Sequence, residues 1–120
     1  MSASHHTGKQ GEAIAVEYLT QKGYDVLETN WQSNHQEIDI IARQGDILVI
    51  AEVKTRNTNY FGEPETFVTK QKQRMLIKAT NHYITKNDLN VTVRFDIISI
   101  LYNKDEHKLK HIEDAFYPLI

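Results

Sequence analysis

Five consecutive apolar residues, Ile47 to Ala51, interrupt a chain whose other strand-like stretches alternate or mix apolar and polar positions. A strand that is apolar on both faces wants cover on both sides, so this run predicts the centre of a sheet. The residues before it, Glu37 to Arg43, read as a second strand, and Gln44-Gly45 reads as the turn of a β-hairpin between them. Upstream, Gly8 to Lys22 has helical spacing and stops at Gly23, where a left-handed cap is wanted. Ala15, Val16 and Leu19 share a face with Glu12 at offsets of three, four and seven, which turns Glu12 toward the sheet. Tyr24 to Thr29 predicts a first strand with Trp31 just beyond it, and residues 1–7 read as a disordered terminus ahead of a single domain, 8–120. Thr69 is placed to cap a helix running to about Lys86, with Leu76, Ala79 and Tyr83 as its inner stripe and Lys72 one turn before Leu76. Val91 to Leu101 predicts a long strand, and the tail from Asn103 an edge hairpin. Helix, three strands, helix, strand, strand gives an α/β three-layer sandwich: a mixed central β-sheet flanked by helices on both faces.

The central run ends in Glu52-Val53-Lys54, an acid and a base two residues apart and so on one face of the strand. If Arg43 pairs with Asp46, Asp39 faces Ile50 and Glu52 becomes its diagonal neighbour, roughly 7–8 Å away and within reach of a shared ion. Any even loop length keeps Asp39, Glu52 and Lys54 on one side. Taken alone, Glu-x-Lys at a strand end is an ordinary surface pair worth little. Behind an apolar strand, with an aspartate in phase, it points to a divalent cation held by Asp39 and Glu52, with the Val53 carbonyl as a third oxygen. Such donors suit Mg²⁺ or Mn²⁺.

Composition changes this picture little. The chain has 120 residues, 40% of them hydrophobic and 25% charged, the make-up of an ordinary globular domain. Without cysteine, neither a disulfide framework nor a thiolate metal site is available. No stretch approaches membrane length and the N-terminus lacks a signal-peptide core, so cytoplasmic residence is the default expectation. A net charge of −2 argues against indiscriminate coating of nucleic acid. Between Lys54 and Lys78, however, six basic residues face two acids. Lys70 and Arg74 in that cluster, with Arg56, Asn57 and Tyr60 in the polar segment after the central strand, are the candidate nucleic-acid contacts. Arg94 and Asp96 read as a structural pair.

Several short motifs taken in order carry a resemblance: Gly11-Glu12, Glu37-Ile-Asp39, Glu52-Val-Lys-Thr-Arg56, Phe61-Gly-Glu-Pro64, Lys72-Gln-Arg74 and Arg94-Phe-Asp96. Together, over about Gly8 to Leu101, they resemble the YraN family, regarded as distant relatives of Holliday-junction resolvases in the PD-(D/E)XK nuclease superfamily. Here Ile38 stands where the superfamily name has a proline. The resemblance implies a restriction-endonuclease-like core and a metal-dependent endonuclease of structured or branched DNA. It adds Glu12 as a third acid at the metal, Lys54 as the catalytic ammonium and Lys72 as the helix-borne base beside the phosphate. A non-catalytic nucleic-acid-binding or adaptor module on the same fold is the alternative, and a homodimer is left open.

Overall fold

The structure, a computed structural model, describes residues 3–57, 68–103 and 106–116. Helix α1 (Ala3–Gln21) leads into strands β1 (Asp25–Ser33), β2 (Gln36–Gln44) and β3 (Ile47–Asn57); helix α2 (Lys70–Lys86) then crosses to β4 (Thr92–Asn103) and β5 (Glu106–Ile112). The sheet has the order β1-β2-β3-β4-β5, with β3 and β4 parallel and the other neighbours antiparallel. Parallel neighbours need a crossover, and α2 provides it. This is the mixed α/β arrangement that the pattern of apolar positions predicts. Helix α1 starts earlier than Gly8, so residues 3–7 continue the helix instead of forming a loose terminus. Strand β1 likewise runs on to take in Trp31, whose ring meets Tyr83 of α2 edge-on at 5.1 Å. Among the described residues, no helix is long and apolar enough to cross a membrane.

Two cores sandwich the sheet. On one side Ala15 and Leu19 of α1 bury against Ile40, Ala42, Val49, Ala51, Ile98 and Ile100. On the other, Leu76, Ala79 and Tyr83 of α2 bury against Ile38, Ile41, Leu48, Ile50 and Phe95. Strand β3 feeds both cores from alternate residues, which is why its sequence shows no polar face. Gly23 closes α1 with φ +93°, and Thr69 caps α2 by accepting the Lys72 N–H at 3.1 Å.

The β2–β3 turn is Gly45-Asp46, one residue later than the sequence suggests, because Gly45 takes the first loop position with φ +60°. The pair flanking it is Gln44–Ile47, and the whole ladder shifts by two in its sum. The β1–β2 turn, Asn34-His35, has positive φ at both residues, the arrangement that matches hairpin twist.

Buried Gly11 lets α1 lie against β3. A methyl group there would land on the Thr55 hydroxyl, with the Thr55 Cβ and Cγ2 only 3.1 and 3.2 Å away. Gly11→Ala gains helix propensity of up to about 1 kcal/mol, but crowding costs about 1–3 kcal/mol. The expected outcome is a net loss of about 1 kcal/mol in urea unfolding and displacement of Glu12, the next residue. A variant as stable as the parent would show that the helix has room.

Candidate metal and phosphate site

The β2–β3 ladder runs from Gln44–Ile47 to Ile40–Ala51 and goes no further. One more step in that register sets Asp39 against Glu52, nearer than the diagonal placement expected. Beyond Ala51 the main chain of β3 is bonded by a side chain: the Val53 N–H donates to Asp39 Oδ2 at 2.8 Å. In β2 the alternation slips at this point, since Ile38 and Ile41 face α2 while Ile40 and Ala42 face α1. Directly opposed residues of an antiparallel pair share a face, so this register keeps Asp39 with Glu52 and Lys54, while the slip beside it opens its carboxylate to the α1 side as well. Its carboxylate lies between the parting strands, where groups from both layers reach it.

From the α2 side come Glu52, Lys54 and Lys72. Glu52 is 6% exposed. Its Oε1 lies 3.7 Å from Lys54 Nζ and 3.8 Å from Lys72 Nζ. Its Oε2 is buried and has no hydrogen-bond partner among the described residues. Thr69 fixes the start of α2 and thereby delivers Lys72 to this spot. From the α1 side comes Glu12, whose Oε2 accepts from Asn30 Nδ2 at 3.1 Å. Oxygens of Glu12, Glu37 and Asp39 all lie within 4.8 Å of one another. Glu37 is absent from the expected set, although it stands two residues before Asp39 on the same strand, a spacing that could have marked it.

Crowded acids disfavour ionisation. Burial first, then the charge of Glu52, lifts Asp39 to a pKa of about 7; Glu12 adds to the rise, while the Val53 N–H and Lys72 oppose it. A second buried carboxylate shows the contrast. Asp96 is 0% exposed, yet its oxygens meet Arg94 Nε and Nη2 at 2.9 and 2.8 Å, His111 Nε2 at 2.7 Å and the Asp114 N–H at 3.0 Å. Around it, His111 Nδ1 lies 3.0 Å from the Tyr18 hydroxyl, and Arg94 donates to the Tyr24 hydroxyl at 2.7 Å. That pair is structural and saturated. Glu52, with an oxygen left over, is neither. The all-oxygen donors of Glu12, Glu37 and Asp39 suit a hard divalent cation such as Mg²⁺ or Mn²⁺, and Glu52, close enough for its charge to raise the Asp39 pKa, adds a further carboxylate.

The other expected residues are more dispersed. Half-buried Arg56 donates to the Thr55 carbonyl at 2.9 Å. Asn57 ends β3, its side chain outside the described residues, as is Tyr60 together with the rest of the 58–67 segment. Lys70 and Arg74 are exposed on α2, and Val53 is half-buried beside Glu52.

Fold and site together define a class: a small α/β sandwich whose central strand carries Glu-x-Lys midway along it, where the pairing with β2 stops, beside an aspartate from that neighbouring strand. Residues 11–100 match the model of the Uncharacterised protein family UPF0102, and the chain belongs to that family, also called YraN. It is similar to UPF0102 protein FP2501 of Flavobacterium psychrophilum, 50% identical over 117 residues, 98% of either chain. It is also similar to a UPF0102 protein of Phocaeicola vulgatus, 42% identical over 100% of this chain and 99% of that one. With UPF0102 protein THEYE_A1950 of Thermodesulfovibrio yellowstonii the identity is 44%, over 92% and 95% of the two chains.

Proposed function

We propose that this protein is a divalent-metal-dependent phosphodiesterase acting on DNA, an endonuclease of structured or branched DNA. The observation that carries the reading is the meeting of Asp39 and Glu52 at the point where β2 and β3 part, with one buried Glu52 oxygen left without a partner among the described residues. A binding module needs no such carboxylate. Asp39, Glu52 and Glu12, with the Val53 carbonyl, would hold Mg²⁺ or Mn²⁺. When bound, that ion supplies Lewis-acid charge to a phosphate and lowers the pKa of water.

The chain's own groups do the rest. Lys54, on the same side of β3 as Glu52 and within 3.7 Å of it, stabilises charge that builds on the phosphate oxygens. Lys72 steadies the same phosphate from the start of α2. Asp39 is held in place by a main-chain hydrogen bond, so its orientation does not depend on the ion. Arg56, Asn57 and Tyr60, which follow Lys54 in the chain, are the proposed contacts to the nucleic-acid strand. The preference for branched DNA follows from the resemblance to Holliday-junction resolvases.

The test is incubation of the purified protein with branched, flapped and linear DNA plus Mn²⁺. Cleavage of the branched substrate is expected, and Glu52→Ala with Lys54→Ala should slow it by about 10³-fold or more. Equal cleavage by parent and double variant would assign the activity to a contaminant and end the reading.

A further inference from the structure

Helix α2 holds five cations (Lys70, Lys72, Arg74, Lys78 and Lys86) and no carboxylate. The chain as a whole is −2, and with α2 at +5 the remaining residues together carry −7. Positive charge is thus segregated onto one element of an otherwise acidic protein. Lys72 turns inward to Glu52. Lys70, Arg74 and Lys78 are exposed, and no described carboxylate pairs with any of them. At offsets of four and eight they form a line along one side of the helix, with a rise of about 6 Å per step.

This placement works against the helix. Lys70 and Lys72 stand in the first turn, where the macrodipole favours acids, and no acid is there. Lys70–Arg74 and Arg74–Lys78 are like-charged neighbours, which destabilise a helix. Cations kept where the local electrostatics oppose them suit a polyanion from outside.

We propose that the exposed face of α2 tracks the phosphate backbone of a double-stranded nucleic acid, with Lys70, Arg74 and Lys78 as successive contacts leading away from the acidic site. Phosphate contacts of this kind position a substrate without reading its sequence. Binding of single strands without sequence preference combines a basic groove with stacking on aromatic rings. Helix α2 offers no such ring beside its cations: its one tyrosine, Tyr83, is buried against the sheet, and it has no tryptophan or phenylalanine. A rigid line of cations instead matches the regular, paired backbone of a duplex. The inference rests on the reading of the protein as one that acts on nucleic acid, and it names the form of substrate held beside the cut.

Binding is measured by fluorescence anisotropy, in EDTA so that no cleavage intervenes, with a labelled duplex of about 20 bp and a single strand of equal length over a salt series. The parent should prefer the duplex. The triple variant Lys70→Ala, Arg74→Ala, Lys78→Ala should bind it roughly 10–100-fold more weakly at moderate salt, with the salt slope reduced by about 3. The single variants should each lower that slope by about 1, which covers a triple variant that fails to fold. Lys108→Ala on β5, exposed on the edge strand, should change nothing. Unaltered duplex binding by the variants, or equal affinity of the parent for single strands, would overturn the proposal. A protein that binds in this way and cuts nothing contradicts only the proposed reaction; one that cuts and ignores these substitutions contradicts only the track.

Discussion

Asp96→Ala should cost about 3–5 kcal/mol in urea unfolding, because it removes the buried carboxylate that the half-buried Arg94 guanidinium and the buried His111 ring share. Arg94 makes two of its short hydrogen bonds to Asp96, and His111 loses the same partner. What remains for Arg94 is the Tyr24 hydroxyl and a 3.6 Å pair to Glu113, which is half exposed. Domains of this size have about 5–15 kcal/mol in total, so the variant should be partly unfolded at 37 °C. Asp96→Asn, which keeps one acceptor for Arg94, should lose less. Burial alone would raise the Asp96 pKa, but hydrogen bonds from His111, Arg94 and the Asp114 N–H outweigh it and hold the group below its ordinary 3.8. Its contribution is therefore present above pH 4 and lost as the pH falls below that. A loss under about 1 kcal/mol for Asp96→Ala would mean that the network is ornamental to the fold.

At Asp39 the sign is opposite. Its pKa rises from 3.8 to about 7 on folding, so the metal-free native state takes up a proton that the unfolded chain has released. That stabilisation is full below pH 4 and is gone once the pH has climbed through 7, a change on the order of 4 kcal/mol. The metal-free protein should therefore melt at a higher temperature at pH 5 than at pH 8. Asp39→Asn retains an acceptor for the Val53 N–H and has no charge to bury, so its melting temperature should be nearly level over this range. Millimolar Mn²⁺ should raise the melting point of the parent at pH 8 by mass action and leave that of the variant unmoved. Identical pH profiles for the two proteins, or equal responses to Mn²⁺, would remove Asp39 from the site.

Much of the architecture was legible because its determinants are local. An unbroken apolar run can only be a covered strand here, and Gly23 and Thr69 mark helix ends by conformations and caps that a few neighbouring residues decide. Lys72 could be turned toward the sheet by helical spacing from Leu76. Register was harder. A turn containing glycine can set that residue first or second, and the difference moved Asp39 from a diagonal position to one opposite Glu52. The slip in alternation near Asp39 was not legible, since it falls where β1 sets Asn30 opposite, a residue with φ +52° that no local pattern marks. Glu37 was missed although its spacing from Asp39 was available; only the approach of α1 shows that Glu12 stands over both. The Asp96 network depends on a pairing of β4 with β5 that sets Ile98 beside His111, a contact no local pattern announces.

The bond from Val53 to Asp39 joins chemistry to architecture at a single atom pair. Where the central strand loses its neighbour, a side chain proposed to hold the metal finishes the hydrogen bonding that another strand would have supplied. Truncating that side chain would uncap the sheet as well as remove a proposed ligand, so an alanine substitution here would confound lost function with unfolding. Only replacements that still offer an oxygen to the main chain can tell the two apart.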